Sequence, residues 1–181
     1  MYDFNLIVSC PWPFVGRARR EIVHFLRLLG DEEFVVERTL ARGIVGVKTR
    51  LDARDVVRQL RALFNEDPSR FQYTLKWVPV DLWTNSDIES MKIAVESVKD
   101  KIGPGERWRM TVEKRRYTMH HTIDIIGALA ELIDEKVDLK NPDKILRVDI
   151  IGRFAGVSVL SPGEIFSTTR LPLKDEKVGV G

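Results

Sequence analysis

Cysteine is almost absent: Cys10 stands alone in 181 residues. An internal disulfide and a cysteine-based zinc site are therefore excluded, and a reducing cytoplasm is the simplest location. No run approaches the eighteen or more apolar residues that a membrane span needs. The opening Met1-Tyr2-Asp3-Phe4 has neither a basic region nor an apolar signal core. There is no Gly-x-Gly-x-x-Gly, no Gly-Lys-Ser/Thr phosphate loop and no Gly-x-Ser-x-Gly elbow, so no cofactor cradle is expected. His120 and His121 adjoin without further ligands, which excludes a recognisable metal site. Charge of one sign is lacking too. Lys and Arg number 29 against 27 Asp and Glu, a net +2. Bulk charge is silent about partners, but placement is not.

What is present is a soluble composition, 44% hydrophobic and 31% charged, long enough for two small domains. Residues 4–8 read as a strand stopped by Cys10-Pro11-Trp12-Pro13. Trp12 and Phe14 read as core or staple aromatics, with a recognition element as the alternative. A helix follows over 17–29, burying Ala18, Ile22, Phe25 and Leu29, with Arg17, Arg20, His24 and Arg27 elsewhere on its surface and Gly30 as its C-cap. Residues 34–38 and 44–48 form a hairpin. Asp52 caps a second helix that buries Val56, Leu60 and Leu63 and turns Arg54, Arg58 and Arg61 outward. The alternating stretch 71–77, continuing to Val80, predicts a strand. Strand, helix, strand, strand, helix, strand is most economically a four-stranded antiparallel sheet with both helices on one face, the ferredoxin-like arrangement. Its arginine stripes fit a solvated face or a supporting nucleic-acid contact.

A second unit opens with a capping box at Ser86-Asp87-Ile88-Glu89 and a helix through Met91, Val95, Val98 and Ile102. Residues 107–113 alternate, predicting a strand with a packed face (Trp108, Met110, Val112) and a wet one (Arg109, Thr111, Glu113). It leads into a basic turn, Lys114-Arg115-Arg116-Tyr117-Thr118, and then a helix over roughly 121–136. That helix carries one apolar stripe of Ile123, Ile126, Ala130, Ile133 and Val137 and a second of Ile125, Leu129 and Leu132. After a turn at 139–143, residues 146–151 and 155–160 pair as a hairpin around Gly152-Arg153. Beyond Ser161 periodicity ends. Phe166 and Leu171 are candidates to pin part of the remainder, and 174–181 reads as a mobile tail. The expected division is an N-terminal domain 1–82, a second domain 83–165 and a C-terminal tail 166–181.

The basic turn holds the candidate chemistry. Guanidinium groups fork onto phosphate and cannot act as proton acceptors at ordinary pH, which favours gripping over catalysis. Lys114, Arg115 and Arg116, with Arg107, Arg109, His120 and Arg153, form the candidate set, and Tyr117 supplies a stacking surface. Nucleic-acid contact, a plain solvated turn and a small anionic ligand all fit those residues. Asp81 and Asp87 lack a catalytic partner nearby in sequence, and Asp87 reads as first-turn charge.

Trp77-Val78-Pro79-Val80-Asp81, Glu113-Lys114-Arg115-Arg116-Tyr117, Asp138-Leu139-Lys140-Asn141-Pro142-Asp143-Lys144 and Gly156-Val157-Ser158-Val159-Leu160 resemble a THUMP domain. More closely, the chain is similar to stand-alone THUMP proteins that assist tRNA cytidine acetylation, and to their archaeal relatives. The resemblance implies an α+β fold: a ferredoxin-like domain followed by a THUMP domain with a small mixed sheet and packed helices. By position it maps Lys114, Arg115 and Arg116 onto the family's basic segment and Ser158 onto its terminal strand motif. It further implies a non-catalytic adaptor without cofactor or metal that grips the acceptor stem and single-stranded end of tRNA for a separate enzyme making 4-acetylcytidine. No catalytic domain is expected after residue 160, and neither DNA nor membrane is an expected partner. The other readings are an RNA-binding subunit for tRNA thiolation or methylation, a stand-alone enzyme on a small phosphorylated or nucleotide substrate, and a structural partner of an acidic protein surface.

Overall fold

The structure, a computed structural model, describes residues 1–169. Leu171 and the expected tail at 174–181 lie outside the described residues. The chain forms two compact units. The first comprises residues 3–80 with 163–169; the second comprises 81–162 with the first two residues.

In the first unit the elements run β1 (Leu6–Ser9), α1 (Val15–Leu28), β2 (Val35–Arg38), β3 (Ile44–Lys48), α2 (Ala53–Glu66) and β4 (Lys76–Pro79). All strand pairs are antiparallel, in the spatial order β2-β3-β1-β4 of a ferredoxin-like sheet. Both helices bury a three-four stripe against it: Ala18, Ile22, Phe25 and Leu26 from α1, Val56, Val57 and Leu60 from α2. Local signals set the helix ends. Asp52 accepts the Asp55 amide at 3.0 Å. Gly30 takes φ +98, so its own amide and that of Asp31 can close back on Arg27 and Leu26.

Three expectations for this unit are corrected. The strand predicted from 71 begins only at Lys76. The amides of Gln72, Tyr73 and Thr74 donate to the Glu21 carboxylate of α1 at 2.7–3.3 Å, so they are not available to a sheet ladder. The sheet also has a fifth strand, β9 (Phe166–Ser167), antiparallel to β4. Residue 166 thus starts a strand, not a tail, and its ring is buried against Phe64 and Phe71. Finally, Trp12 and Phe14 are not core residues: they are 57% and 43% exposed.

The second unit runs β5 (Leu82–Asn85), α3 (Ile88–Val98), β6 (Trp108–Arg115), α4 (Thr122–Ala130), β7 (Lys144–Ile151) and β8 (Phe154–Leu160). Its sheet has the order β5-β8-β7-β6, with β6 and β7 parallel and the other pairs antiparallel. It is the small mixed sheet expected. α3 and α4 cover one face through Met91, Val95, Ile125 and Leu129 over Trp108, Leu146 and Val148.

Here too the differences have causes. β5 gave no periodic signal, because four residues beside Pro79 are too short to show one. The cap of α3 is Asp87, which accepts the Ser90 amide at 2.8 Å; Ser86 instead donates its hydroxyl to the Gly152 carbonyl. α4 spans nine residues, not sixteen, and buries the second stripe, Ile125 and Leu129, while Ile123 and Val137 are exposed. The supposed wet face of β6 is also covered in part, with Thr111 buried and Glu113 half-buried.

Candidate RNA interface

The parallel register puts Arg115 opposite Ile151, and Gly152 donates its amide to the Arg115 carbonyl at 2.9 Å. The end of β6 therefore lies beside the β7–β8 turn, which Gly152 makes with φ +60. Ser86 is tied to the same place. Its amide donates to the Arg153 carbonyl, its hydroxyl to the Gly152 carbonyl, and its own carbonyl accepts the Tyr117 hydroxyl at 3.0 Å. Three chain segments are thus knotted at one end of the sheet, around residues 86, 116–117 and 152–153.

Arg116 and Arg153 stand on this knot. Both are exposed, and among the described residues neither guanidinium has an ion pair or hydrogen bond. Arg116 takes φ +59, the left-handed conformation that costs an L side chain about 1–2 kcal/mol. The strand-to-helix turn is built through an arginine where glycine would be cheaper, a kind of strain that concentrates at functional positions.

The remaining candidates are distributed differently. Lys114 donates to the His120 carbonyl at 3.1 Å, closing the loop that follows. Arg115 donates to Asp149 at 3.3 Å, and that carboxylate also takes the buried Arg147 through Nε at 2.9 Å and a terminal nitrogen at 3.2 Å. Arg115 therefore sits at the rim of a buried ionic cluster. The Tyr117 ring is half-buried, and burial, then the Asp87 charge, push its hydroxyl above the ordinary tyrosine range. His120 lies 6.5 Å from that ring. Arg107 pairs with Asp138 at 3.1 Å, and Arg109 reaches the Leu139 carbonyl at 3.4 Å. At about 3.3 Å of rise per residue, Arg107 and Arg116 stand roughly 25–30 Å apart. The compact patch suggested by sequence is really two places, and the unneutralised one holds Arg116 and Arg153.

The arginine stripes of the first unit divide likewise. On α2, Arg54 is ion-paired with Glu164, Arg58 with Asp55, and Arg61 donates to the Ile165 carbonyl at 2.9 Å. On α1, Arg17 donates to the Tyr73 hydroxyl, while Arg20 and Arg27 line an open groove beside β2 with Arg19 and His24. Arg19 and Arg42 escaped the sequence reading. Arg19 falls between the buried and outward rows of α1, and Arg42 sits in a turn whose approach to Trp12 only the fold reveals.

The shifted carboxylates are structural. Asp67, Asp87 and Asp138 are held low by hydrogen bonds from Ser69, Ser90 and Asn141 respectively, and Glu106 by Lys144. Among the described residues no group of His, Cys, Asp and Glu is arranged to hold a metal, and no helix is long and apolar enough to cross a membrane.

Residues 80–160 match the family model for the THUMP domain, and this part of the chain is a THUMP domain. An uncharacterised protein of Methanocaldococcus jannaschii is 28% identical over 143 residues, covering 77% of this chain and 36% of the relative. Among solved structures, PH1313 from Pyrococcus horikoshii superposes with a TM-score of 0.64 at 16% identity, over 86% of this chain and 54% of that one. A 4-thiouridine synthetase crystallised with RNA and bound ATP superposes at 0.51 and 18% identity, over 88% of this chain and 42% of that one. The chain spans about a third of the curated relative, at 36%, and about half of these solved chains, at 54% and 42%.

Proposed function

We propose that this chain binds tRNA and holds it for a modification enzyme, with Arg116 and Arg153 as the principal phosphate contacts. The observation that carries the reading is the pair of unneutralised guanidiniums on adjoining turns of a THUMP domain, a module that binds RNA. Guanidiniums grip phosphate and cannot accept a proton at ordinary pH, so the proposed role is positional. Phosphate contacts fix where the acceptor stem and its single-stranded end lie, and shape supplies discrimination in the paired region. Chemistry falls to a separate enzyme, a cytidine acetyltransferase making 4-acetylcytidine. The fold likeness to a 4-thiouridine synthetase supports thiolation as the second reading.

The test is filter binding of tRNA to the full chain at two salt concentrations. Arg116→Ala with Arg153→Ala is expected to weaken binding about tenfold or more. It should also lower the slope of log K against log salt by about 1–2, because each lost phosphate contact no longer releases counterion. An unchanged dissociation constant at both concentrations removes the site. Affinity capture from native extract, with identification of the co-eluting enzyme, separates acetylation from thiolation.

A further inference from the structure

Trp12 belongs to neither the core nor the interface above. Its ring is more than half exposed, and the Arg42 guanidinium lies over it at 4.8 Å. The arrangement is built. Pro11 and Pro13 flank the tryptophan in a single 3₁₀ turn, closed by the Phe14 amide on the Pro11 carbonyl at 2.9 Å. Across from it, the Cys10 amide donates to the Gly43 carbonyl at 2.9 Å. Gly43 has φ +75, and a Cβ there would meet the Cys10 carbonyl oxygen at 2.5 Å, so the turn carrying Arg42 is seated against the loop carrying Trp12. A platform fixed in this way loses little freedom when something stacks on it.

Two residues beyond Phe14, the groove along α1 begins. It has a volume of about 580 Å³, opens to solvent and runs from Gly16 past Arg20 and His24 to Arg27, with Val36 of β2 on its other side. Arg20, His24 and Arg27 recur at four and three, which keeps them on one side of the helix. Arg19 anchors the wall by donating to the Val36 carbonyl at 3.1 Å, and its Nε is buried with no partner among the described residues. No carboxylate lines the groove, and among the described residues none pairs with Arg20, Arg27 or Arg42.

We propose that the first unit carries a second RNA site, in which one or two unpaired bases stack on Trp12 and the adjoining phosphates follow the arginines of the α1 groove. The proposal rests on the reading that RNA is the ligand. A paired stem presents phosphates but no free base face, and an acidic protein surface has no need of the aromatic platform. Unpaired nucleotides offer both features at the spacing of one strand. They occur in a single-stranded end and in loops, and the probes separate these sources.

Binding is measured on the full chain with a labelled oligouridylate and with two stem-loops sharing one loop, one blunt and one carrying a single-stranded 3′ overhang. Trp12→Ala is expected to weaken the oligouridylate by roughly tenfold to a hundredfold, within the range for one stacked base, while Trp12→Phe restores most of the affinity. The overhang stem-loop should outbind the blunt one by a factor that Trp12→Ala removes; if the two bind alike but oligouridylate still responds to Trp12→Ala, loops are the source. Arg20→Ala with Arg27→Ala should reduce the salt slope for oligouridylate. In the Arg116→Ala, Arg153→Ala background the fold-loss caused by Trp12→Ala should persist undiminished, so that either site can fail without the other. The proposal is overturned if oligouridylate does not bind, if its affinity is indifferent to Trp12→Ala in a chain with unchanged thermal unfolding, or if oligoglutamate competes with equal affinity.

Discussion

Arg115 and Arg116 adjoin in sequence and differ in every physical respect. Arg115 is drawn onto Asp149 together with Arg147, both of which are 2% or less exposed. Arg116 leaves the strand in a left-handed conformation and meets solvent. Sequence alone identified a basic turn, yet it could not divide its donors, because Asp149 is 34 residues away and reaches Arg115 only through the β6–β7 register. The buried cluster makes a prediction of its own. Asp149→Ala leaves two guanidiniums without their shared carboxylate and should destabilise the fold by about 3–5 kcal/mol, read as a lower urea midpoint with an unchanged m-value. A loss below about 1 kcal/mol would show that water reaches the cluster and that Arg115 is available to RNA after all.

At the scale of elements, the three-four stripes of α1, α2 and α3 and the β7–β8 hairpin were legible, because each buries one regular face. Failures arose where a long-range partner overruled a local pattern. Phe71-Gln72-Tyr73-Thr74 alternates as cleanly as any strand, but Glu21 takes its amides. The α4 sequence offers two stripes, and only the one facing β6 and β7 is buried. β9 is two residues long and is fixed by Phe166, not by any pattern of its own. The candidate site follows the same rule: the arginines could be named from sequence, and their neutralisation could not. Glu21 tests the point directly. Glu21→Ala strips three amides of their acceptor, at a cost of about 1–3 kcal/mol for groups that stay shielded from water. Differential scanning calorimetry should show the lower melting temperature, and hydrogen exchange should localise new lability to residues 72–74. Intact protection there would mean that other acceptors replace the carboxylate.

For the whole molecule, the charges that hold the fold and those assigned to RNA respond to different conditions. Burial pushes the Asp31 carboxyl up, but the Thr49 hydroxyl and the amides of Glu33 and Arg50, with the Arg50 charge, outweigh it and hold the group below the usual aspartate range. Asp67, Asp87, Glu106 and Asp138 are also held low. A carboxyl depressed in the folded state contributes stability that is complete above its unfolded pKa and is lost as pH falls through the folded value. Stability should therefore be flat from neutrality down to the ordinary carboxylate range and decline below it. Asp31→Asn should remove part of that decline, and an equal acid slope in the variant would exclude Asp31 as a contributor. Guanidiniums keep their charge throughout this range. RNA affinity at the proposed Arg116–Arg153 site, measured wherever the chain remains folded, should then depend weakly on pH and steeply on salt, although the net charge is only +2. Placement reconciles the two in the proposed reading: among the described residues, ion pairs of α2, β6 and β7 neutralise charge within the fold, whereas no carboxylate pairs with Arg116, Arg153, Arg20 or Arg27.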